Sequence, residues 1–180
     1  MSIAPHRTVL QRYFAGVTEH AFMEHLGIGD AQLTDYLAEM LTRFVHMDRL
    51  FVLHNTSGEK LTEVANMLIE AEGLPPEGRT RREVFRHIGD YTLFWTGVYP
   101  EALKKLRHRS NIDSFIDYCS QGKRSYAIAS HTDEDHDDPV LKRLSNDFEL
   151  CAFGLNQVRK EFACSGSIID EEGNVRRVIH

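Results

Sequence analysis

Cysteine is scarce in this chain and long apolar runs are missing, and both absences exclude classes of protein. The three cysteines, Cys119, Cys151 and Cys164, include no Cys-x-x-Cys pair, which argues against a disulfide scaffold and a thiolate zinc site. No run of about 18 apolar residues is present, so no membrane-spanning helix and no membrane partner are expected. The first residues lack the apolar segment of a secretory signal. We therefore expect reduced thiols and a cytoplasmic location.

The motifs of several common enzyme classes are also missing. The chain has no Gly-x-Gly-x-x-Gly fingerprint, no Walker-type loop and no Gly-x-Ser-x-Gly elbow, which removes the usual signals for nucleotide binding and serine hydrolysis. Glu-x-x-His pairs, which a ferritin-like di-iron site needs, do not occur. His20 and Glu24 come nearest, and their spacing favours a surface pair on a helix.

The charge balance disfavours nucleic acid as a partner. The chain has 21 Lys and Arg against 27 Asp and Glu, a formal net charge of -6 with neutral histidines, and a net acidic protein repels phosphate backbones. Basic residues cluster at 79–82 and 104–109. Both clusters lie at predicted helix ends, where they can hold an anion or complement the helix dipole.

The composition and the apolar periodicity predict an all-α protein. Hydrophobic residues make up 42% of 180 residues and charged residues 27%, which is typical of one globular domain with a sizeable core. Apolar residues recur at spacings of three and four along most of the chain. We predict a single bundle-like domain of about six or seven helices over residues 1–163. Residues 164–180 are expected to form a tail or a small hairpin.

Several residues mark the expected helix ends. Gly27 is placed to end the first helix and Asp30 to cap the second. Thr80 and Glu83 match a capping box, in which each side chain accepts from a free backbone amide of the fourth helix. Pro100 suits the first turn of a short helix because its ring cannot continue the preceding one.

The last helix is expected to be the longest. Asp138 can cap it, and apolar residues continue at three and four spacing from Pro139 to Phe162, which predicts one helix of about six turns. Its apolar seam favours a central core helix, and self-association as a homodimer is the alternative. Before it, one helix with Gly122 inside is expected over 115–129, and a break at Gly122 is the alternative.

The most distinctive stretch runs from His87 to Glu101 and contains the only tryptophan. Its aromatic residues are typical of a core helix, and Gly89 and Gly97 would let another helix approach closely. The alternative is a pocket in which aromatic rings hold a flat hydrophobic ligand and flanking polar side chains orient it. The predicted ligand-binding residues are His87, Asp90, Trp95 and Tyr99.

The pattern Gly-Asp-x-x-Leu-Phe-x-x-Gly-x-x-Pro-Glu lies within this stretch, from Gly89 to Glu101. It belongs to the segment HIGDYTLFWTGVYPEAL, which follows LTDYLAEMLTRF and precedes QGKRSYAIAS. On these segments the chain resembles a family of uncharacterised bacterial helical proteins, over roughly residues 30–162. The resemblance implies an all-helical single domain. It does not assign any chemistry or an active site.

Residues 131–138 are the candidate metal site. This segment holds five carboxylates and two imidazoles, which are suitable ligands for a divalent cation. The spacing matches no zinc signature and no EF-hand loop, so a solvated acidic loop is the alternative. The His136-Asp137 dyad would also suit a helical metal phosphohydrolase if other helices supplied further ligands. The predicted metal ligands are His131, Asp133, Asp135 and His136.

Three functional hypotheses follow from these observations. The first is a soluble helical binding or protein-interaction module, cytoplasmic and homodimeric, whose protein or small-molecule partner the sequence does not specify. The second is a metal-dependent enzyme of the hydrolase type that uses the His and Asp residues of 131–138. The third is a pocket protein that holds a flat hydrophobic ligand beside Trp95. Metal content separates the second hypothesis from the other two.

Overall fold

The fold is a bundle of helices that ends in a short hairpin. A computed structural model describes residues 8–45, 52–54, 57–76, 78–106, 117–131, 137–164, 167–169 and 175–177. Within these ranges the helices are α1 Val9–Leu26, α2 Ala31–Phe44, α3 Val64–Glu72, α4 Arg79–Val98, α5 Pro100–Leu106, α6 Tyr118–Ser130, α7 Pro139–Asn146 and α8 Phe148–Cys164. Strands β1 Ser167–Ile169 and β2 Val175–Arg177 pair in antiparallel register. The predicted all-α fold is confirmed, and the boundary at residue 163 stays a prediction.

Helix α4 is the centre of the bundle. It packs against α3, α5, α6 and α8, while α1 packs against α2 and α8. From Phe85 to Val98 nearly every residue of α4 is buried, including the polar Asp90 and Thr92. Polar groups at such positions need hydrogen-bond partners because burial removes them from water. Among the helices in the described ranges, none combines the length and apolar character that a membrane span requires.

The two glycines of α4 permit close contact with neighbouring helices. A Cβ atom at Gly89 would lie 2.8 Å from the ring of Tyr126 on α6. A Cβ atom at Gly97 would lie 2.9 Å from Cβ of Leu155 and 3.0 Å from the carbonyl oxygen of Ala152, both on α8. Interior packing leaves no room for an added methyl group at such distances. The expectation that these glycines admit another helix is confirmed.

Most of the predicted helix ends are found in the structure. Gly27 follows α1 in the left-handed conformation, with φ 66°, and the Asp30 carboxylate caps α2 by accepting from two backbone amides of its first turn. Asp138 caps α7 in the same way, with Pro139 in the first turn. Gly122 lies inside α6, as expected.

The predicted capping box at Thr80 is wrong. Helix α4 begins at Arg79, and its N-cap residue is Gly78, which has no side chain to accept a hydrogen bond. A turn fixes this start, since the amide of Gly78 donates to the carbonyl oxygen of Pro75 at 3.2 Å. The Glu83 carboxylate instead accepts from Nε of Arg79 at 2.9 Å.

The single long helix predicted from Pro139 to Phe162 is also wrong, because the chain leaves helical geometry at Asp147 (φ -106°, ψ 27°). Ser145, Asn146 and Asp147 are poor helix formers, since their side chains compete for backbone groups. The Ser145 hydroxyl donates to a carbonyl oxygen of α6 at 2.8 Å. The apolar seam predicted along this segment nevertheless belongs to the hydrophobic core. Its buried members are Leu141, Leu144, Phe148, Cys151, Leu155 and Val158. The homodimer stays a prediction.

Candidate functional site

Helix α4 and Tyr99, the residue that follows it, place the four predicted ligand-binding residues in two environments. His87, Tyr91, Trp95 and Tyr99 follow at steps of four residues, and the centroids of successive rings lie 6.3, 6.1 and 5.8 Å apart. Asp90 lies on another side of the helix, where it contacts α2 and α6. The structure therefore brings three of the predicted residues into one aromatic row and separates Asp90 from it.

The Trp95 end of this row lies at the surface. Tyr99 is 44% exposed, and the guanidinium of Arg159 lies 5.4 Å from its ring centroid. That guanidinium also donates to both carboxylate oxygens of Glu101, at 3.0 and 2.9 Å. Nε1 of Trp95 is buried without a hydrogen-bond partner in the described part of the chain. A flat ligand beside Trp95 stays a prediction.

Asp90 is the centre of a polar network inside the bundle. Its side chain is fully buried, and Oδ1 accepts from the hydroxyls of Tyr36 at 2.7 Å and Tyr126 at 2.8 Å. Oδ2 accepts from Nη2 of Arg43 at 2.9 Å. Burial, and then the charge of Asp90, raises the pKa of Tyr36 and Tyr126 well above the ordinary tyrosine value. Both phenols therefore stay protonated and donate to the carboxylate.

Arg43 connects this network to the surface. Its side chain is 39% exposed, whereas its partner Asp90 is fully buried. Burial is the largest single effect and lowers the pKa of Arg43, but the charge of Asp90, the interaction with Tyr36 and the hydrogen bonds to both together outweigh it, so the pKa is raised overall. The guanidinium is therefore charged and held in one orientation by a charge-assisted hydrogen bond. Its Nε atom is buried and lacks a hydrogen-bond partner in the described ranges.

A cavity of about 360 Å³ lies beside Arg43, among α2, the first turns of α4 and the segment at 52–53. This volume is within the range of small-ligand pockets. The wall has an apolar part and a polar part, and its residues are Arg43, Phe44, Val52, Leu53, Thr80, Glu83, Val84, Arg86 and His87. We call this cavity the Arg43 pocket. Of the four predicted ligand-binding residues, His87 alone is among the lining residues described.

Positive charges outnumber negative ones among the described residues of the Arg43 pocket. Arg43 pairs with the buried Asp90, and Glu83 pairs with Arg79 at 2.9 Å. Arg86 is exposed and lowers the pKa of nearby Tyr36 by its positive charge, an effect smaller than that of burial. Within the described residues Arg86 has no ion pair. Among the described lining residues, with His87 counted as neutral, the charges of Arg43, Glu83 and Arg86 sum to one positive charge.

The candidate metal segment is described only at its two ends. Nδ1 of His131 lies 2.9 Å from Oδ1 of Asp137, and the other oxygen of Asp137 accepts from Nζ of Lys142 at 2.6 Å. Hydrogen bonds from Lys142, and then from His131, lower the pKa of Asp137. Asp133, Asp135 and His136 lie outside the described residues. Inside them, no group of three His, Cys, Asp or Glu residues is arranged to hold a metal, and the metal site stays a prediction.

Comparison with known proteins yields no assignment. No family model matches the chain, and neither a curated protein nor a solved structure matches it. The resemblance to a bacterial helical family therefore stays a prediction. The structure does account for the motif itself: its glycines admit α6 and α8, Asp90 binds three donors, and Pro100 begins α5.

Sequence reasoning missed the two arginines of the pocket and the two tyrosines of the network. Arg43 is predicted on the polar face of α2 with Asp35 and Glu39, as its spacing indicates. A signal was nevertheless present, because an aspartate inside an apolar helix requires a cation or several donors. The identity of those donors depends on which helices pack together, which periodicity does not give.

Proposed function

We propose that this protein is a helical binding module without catalytic activity, and that it takes a small molecule in the Arg43 pocket. The observation that carries the proposal is the anchored guanidinium of Arg43. The buried carboxylate of Asp90, which also accepts from two phenols, holds this guanidinium at the wall of a cavity large enough for a ligand. Positioned polar groups beside apolar side chains are the usual composition of a small-molecule site.

The roles of the carboxylates support binding over catalysis. Asp90 is fully buried and accepts three hydrogen bonds from the protein, and it is not among the described residues that line the Arg43 pocket. Glu83 is engaged by Arg79, whose Nε lies 2.9 Å from its carboxylate. A general acid and base need pKa values near the working pH and access to the reacting atoms. Asp90 lacks that access, and Glu83 is already engaged in an ion pair.

The proposal also includes a cellular location and an oligomeric state. A cytoplasmic location is supported by the three free thiols, since disulfides are rare in that compartment. A homodimer has no support from the seam of α7 and α8, which is buried within the chain, and its remaining support is two exposed residues of α8, Leu150 and Phe153. Light scattering on the purified protein gives the mass directly.

The metal-dependent hydrolase remains the alternative function. It depends on a segment at 132–136 that lies outside the described residues, so metal content is its test. We would measure it by mass spectrometry on untagged protein that was purified without chelator, with one reconstitution check. A stoichiometric ion that is lost in His131→Ala and His136→Ala would replace our proposal with the enzyme.

The proposal itself is tested by a fragment screen on two proteins. Ligand-observed NMR would detect binders to the native chain and to Val84→Trp, a variant that fills the Arg43 pocket from its wall. We expect a set of binders that the variant loses, because the added indole occupies their volume. Circular dichroism checks that Val84→Trp folds, and Ile69→Trp, at a site 68% exposed, is the control for an added indole. Equal binding to all three proteins would contradict the proposal.

A further inference from the structure

We infer that the ligand of the Arg43 pocket is a small carboxylate with an apolar body. This inference rests on the proposed function, because it names the class of molecule for the same pocket. Charge, hydrogen-bonding geometry and the apolar wall each contribute to it.

The charge at the pocket matches one negative charge on the ligand. Arg43 and Asp90 form a neutral pair, as do Arg79 and Glu83. Arg86 is left as the positive charge of the lining without an ion pair in the described ranges. A monoanion would neutralise it, whereas an ammonium group would face two guanidinium groups. A dianionic phosphate would leave a second negative charge beside Glu83, which is unfavourable for like charges at close range.

The geometry of arginine favours a carboxylate among the monoanions. A guanidinium presents parallel N–H donors that match the two oxygens of a carboxylate, and such pairs are stronger than neutral hydrogen bonds. Arg43 is already held on one side by Asp90 at 2.9 Å, so less of its rotamer freedom remains to be lost when a ligand binds. Arg86 lies one helical turn before Asp90 on α4, is exposed and lines the same cavity.

The apolar residues of the wall are suited to an apolar body. Phe44, Val52, Leu53 and Val84 contribute apolar side chains to the lining. Phe44 is fixed by edge contacts with the rings of Phe94 at 5.3 Å and His87 at 5.8 Å. Burying a ligand against these side chains contributes the non-directional part of the affinity. A volume of about 360 Å³ admits a body of the size of one or two fused rings.

The test uses one apolar body with four head groups. Isothermal titration calorimetry would measure 2-naphthoate, the neutral 2-naphthamide, the dianionic 2-naphthyl phosphate and the cationic 2-naphthylmethylamine. We expect 2-naphthoate to bind at least about tenfold more tightly than each of the others. Arg86→Met should lose about tenfold for 2-naphthoate and leave 2-naphthamide unchanged, as expected for a lost charge-assisted contact. Arg12→Met, at an exposed arginine on α1, is the matched control and should change neither affinity.

The outcomes separate this inference from the proposed function. If the amide, phosphate or amine binds in the pocket as tightly as the carboxylate, the inference is wrong and the binding module stands. If all four fail to bind while other fragments are lost in Val84→Trp, the inference is likewise wrong. If no fragment at all depends on Val84, both proposals are wrong.

Discussion

Replacing Asp90 by asparagine should destabilise the fold more than any other substitution in α4 that changes side-chain volume as little. The amide keeps the shape of the side chain, and its oxygen can still accept from the hydroxyls of Tyr36 and Tyr126. Its NH2 group, however, would face Nη2 of Arg43, where the structure has a donor and a charged acceptor 2.9 Å apart. A favourable pair becomes a contact between two donors.

The magnitude follows from the three hydrogen bonds that Asp90 accepts. A hydrogen bond to a charged group contributes about 1.5–3 kcal/mol against about 0.5–1.5 kcal/mol for a neutral one, so the two phenols lose about 1 kcal/mol each. Breaking a buried ion pair costs about 3–5 kcal/mol. Because Arg43 is 39% exposed, water replaces part of that interaction, and we count about 1 kcal/mol for it. The expected loss is about 3 kcal/mol in the free energy of unfolding.

Urea unfolding followed by circular dichroism measures this loss. The control is Glu39→Gln, which removes a charge from the exposed face of α2 and should change stability by no more than about 0.5 kcal/mol. A double-mutant cycle of Asp90→Asn with Arg43→Met should give a coupling of about 1 kcal/mol or more. A loss below about 1 kcal/mol for Asp90→Asn, or no coupling, would refute the argument that this network fixes Arg43.

Three further predictions concern packing, alkaline stability and thiol reactivity. Gly122→Ala should destabilise the fold by about 1–3 kcal/mol, because a Cβ atom there would lie 2.6 Å from a threonine hydroxyl of α4. Gly16→Ala, with nothing within 4 Å of the added atom, should stabilise the fold by about 0.5–1 kcal/mol in the same urea assay. A change of the same sign in both variants would contradict this packing argument. Since the folded-state pKa of Tyr126 is raised, the stability it contributes is present below its ordinary pKa of about 10 and is lost as pH rises above it. Tyr126→Phe should therefore make the free energy of unfolding fall less steeply between about pH 10 and 11.5, by about 1.4 kcal/mol per pH unit. Parallel plots of unfolding free energy against pH for the variant and the native protein would contradict this prediction. At pH 8 the exposed Cys164 should react with a disulfide reagent in the native state. Burial raises the pKa of Cys151 to about 12, so the Cys151 thiol should react only in urea. Rapid labelling of Cys151 in the native protein would contradict its burial in the core.

Local sequence signals predicted much of the fold. The apolar residues of α2 repeat at helical spacing, and Asp30 before them has both the position and the side chain of a cap, so one short segment contains all the information needed. The same is true of Asp138 and Pro139 at α7. Gly89 and Gly97 show that even a tertiary contact can be expected, because a glycine inside an apolar helix leaves space that a neighbouring helix can fill.

The errors and omissions have a common physical origin. Whether the chain bends at Asp147 depends on competition between the apolar seam and three polar residues, one of which bonds to α6. The start of α4 is set by a turn at Pro75 that periodicity does not reveal. The Arg43 pocket needs α2, α4 and the segment at 52–53 to come together, and no local pattern in any of them specifies the other two.

The most direct test of the central claim is to locate a bound ligand on the protein. A crystal structure with the tightest compound from the fragment screen would show its position, and ¹⁵N-resolved NMR would report the same site in solution. Our account predicts that the compound lies within hydrogen-bond distance of Arg43 or Arg86 and against Val84, and that Val84→Trp abolishes its binding. A compound bound beside Trp95 and Tyr99, with the Arg43 pocket unperturbed, would contradict the account.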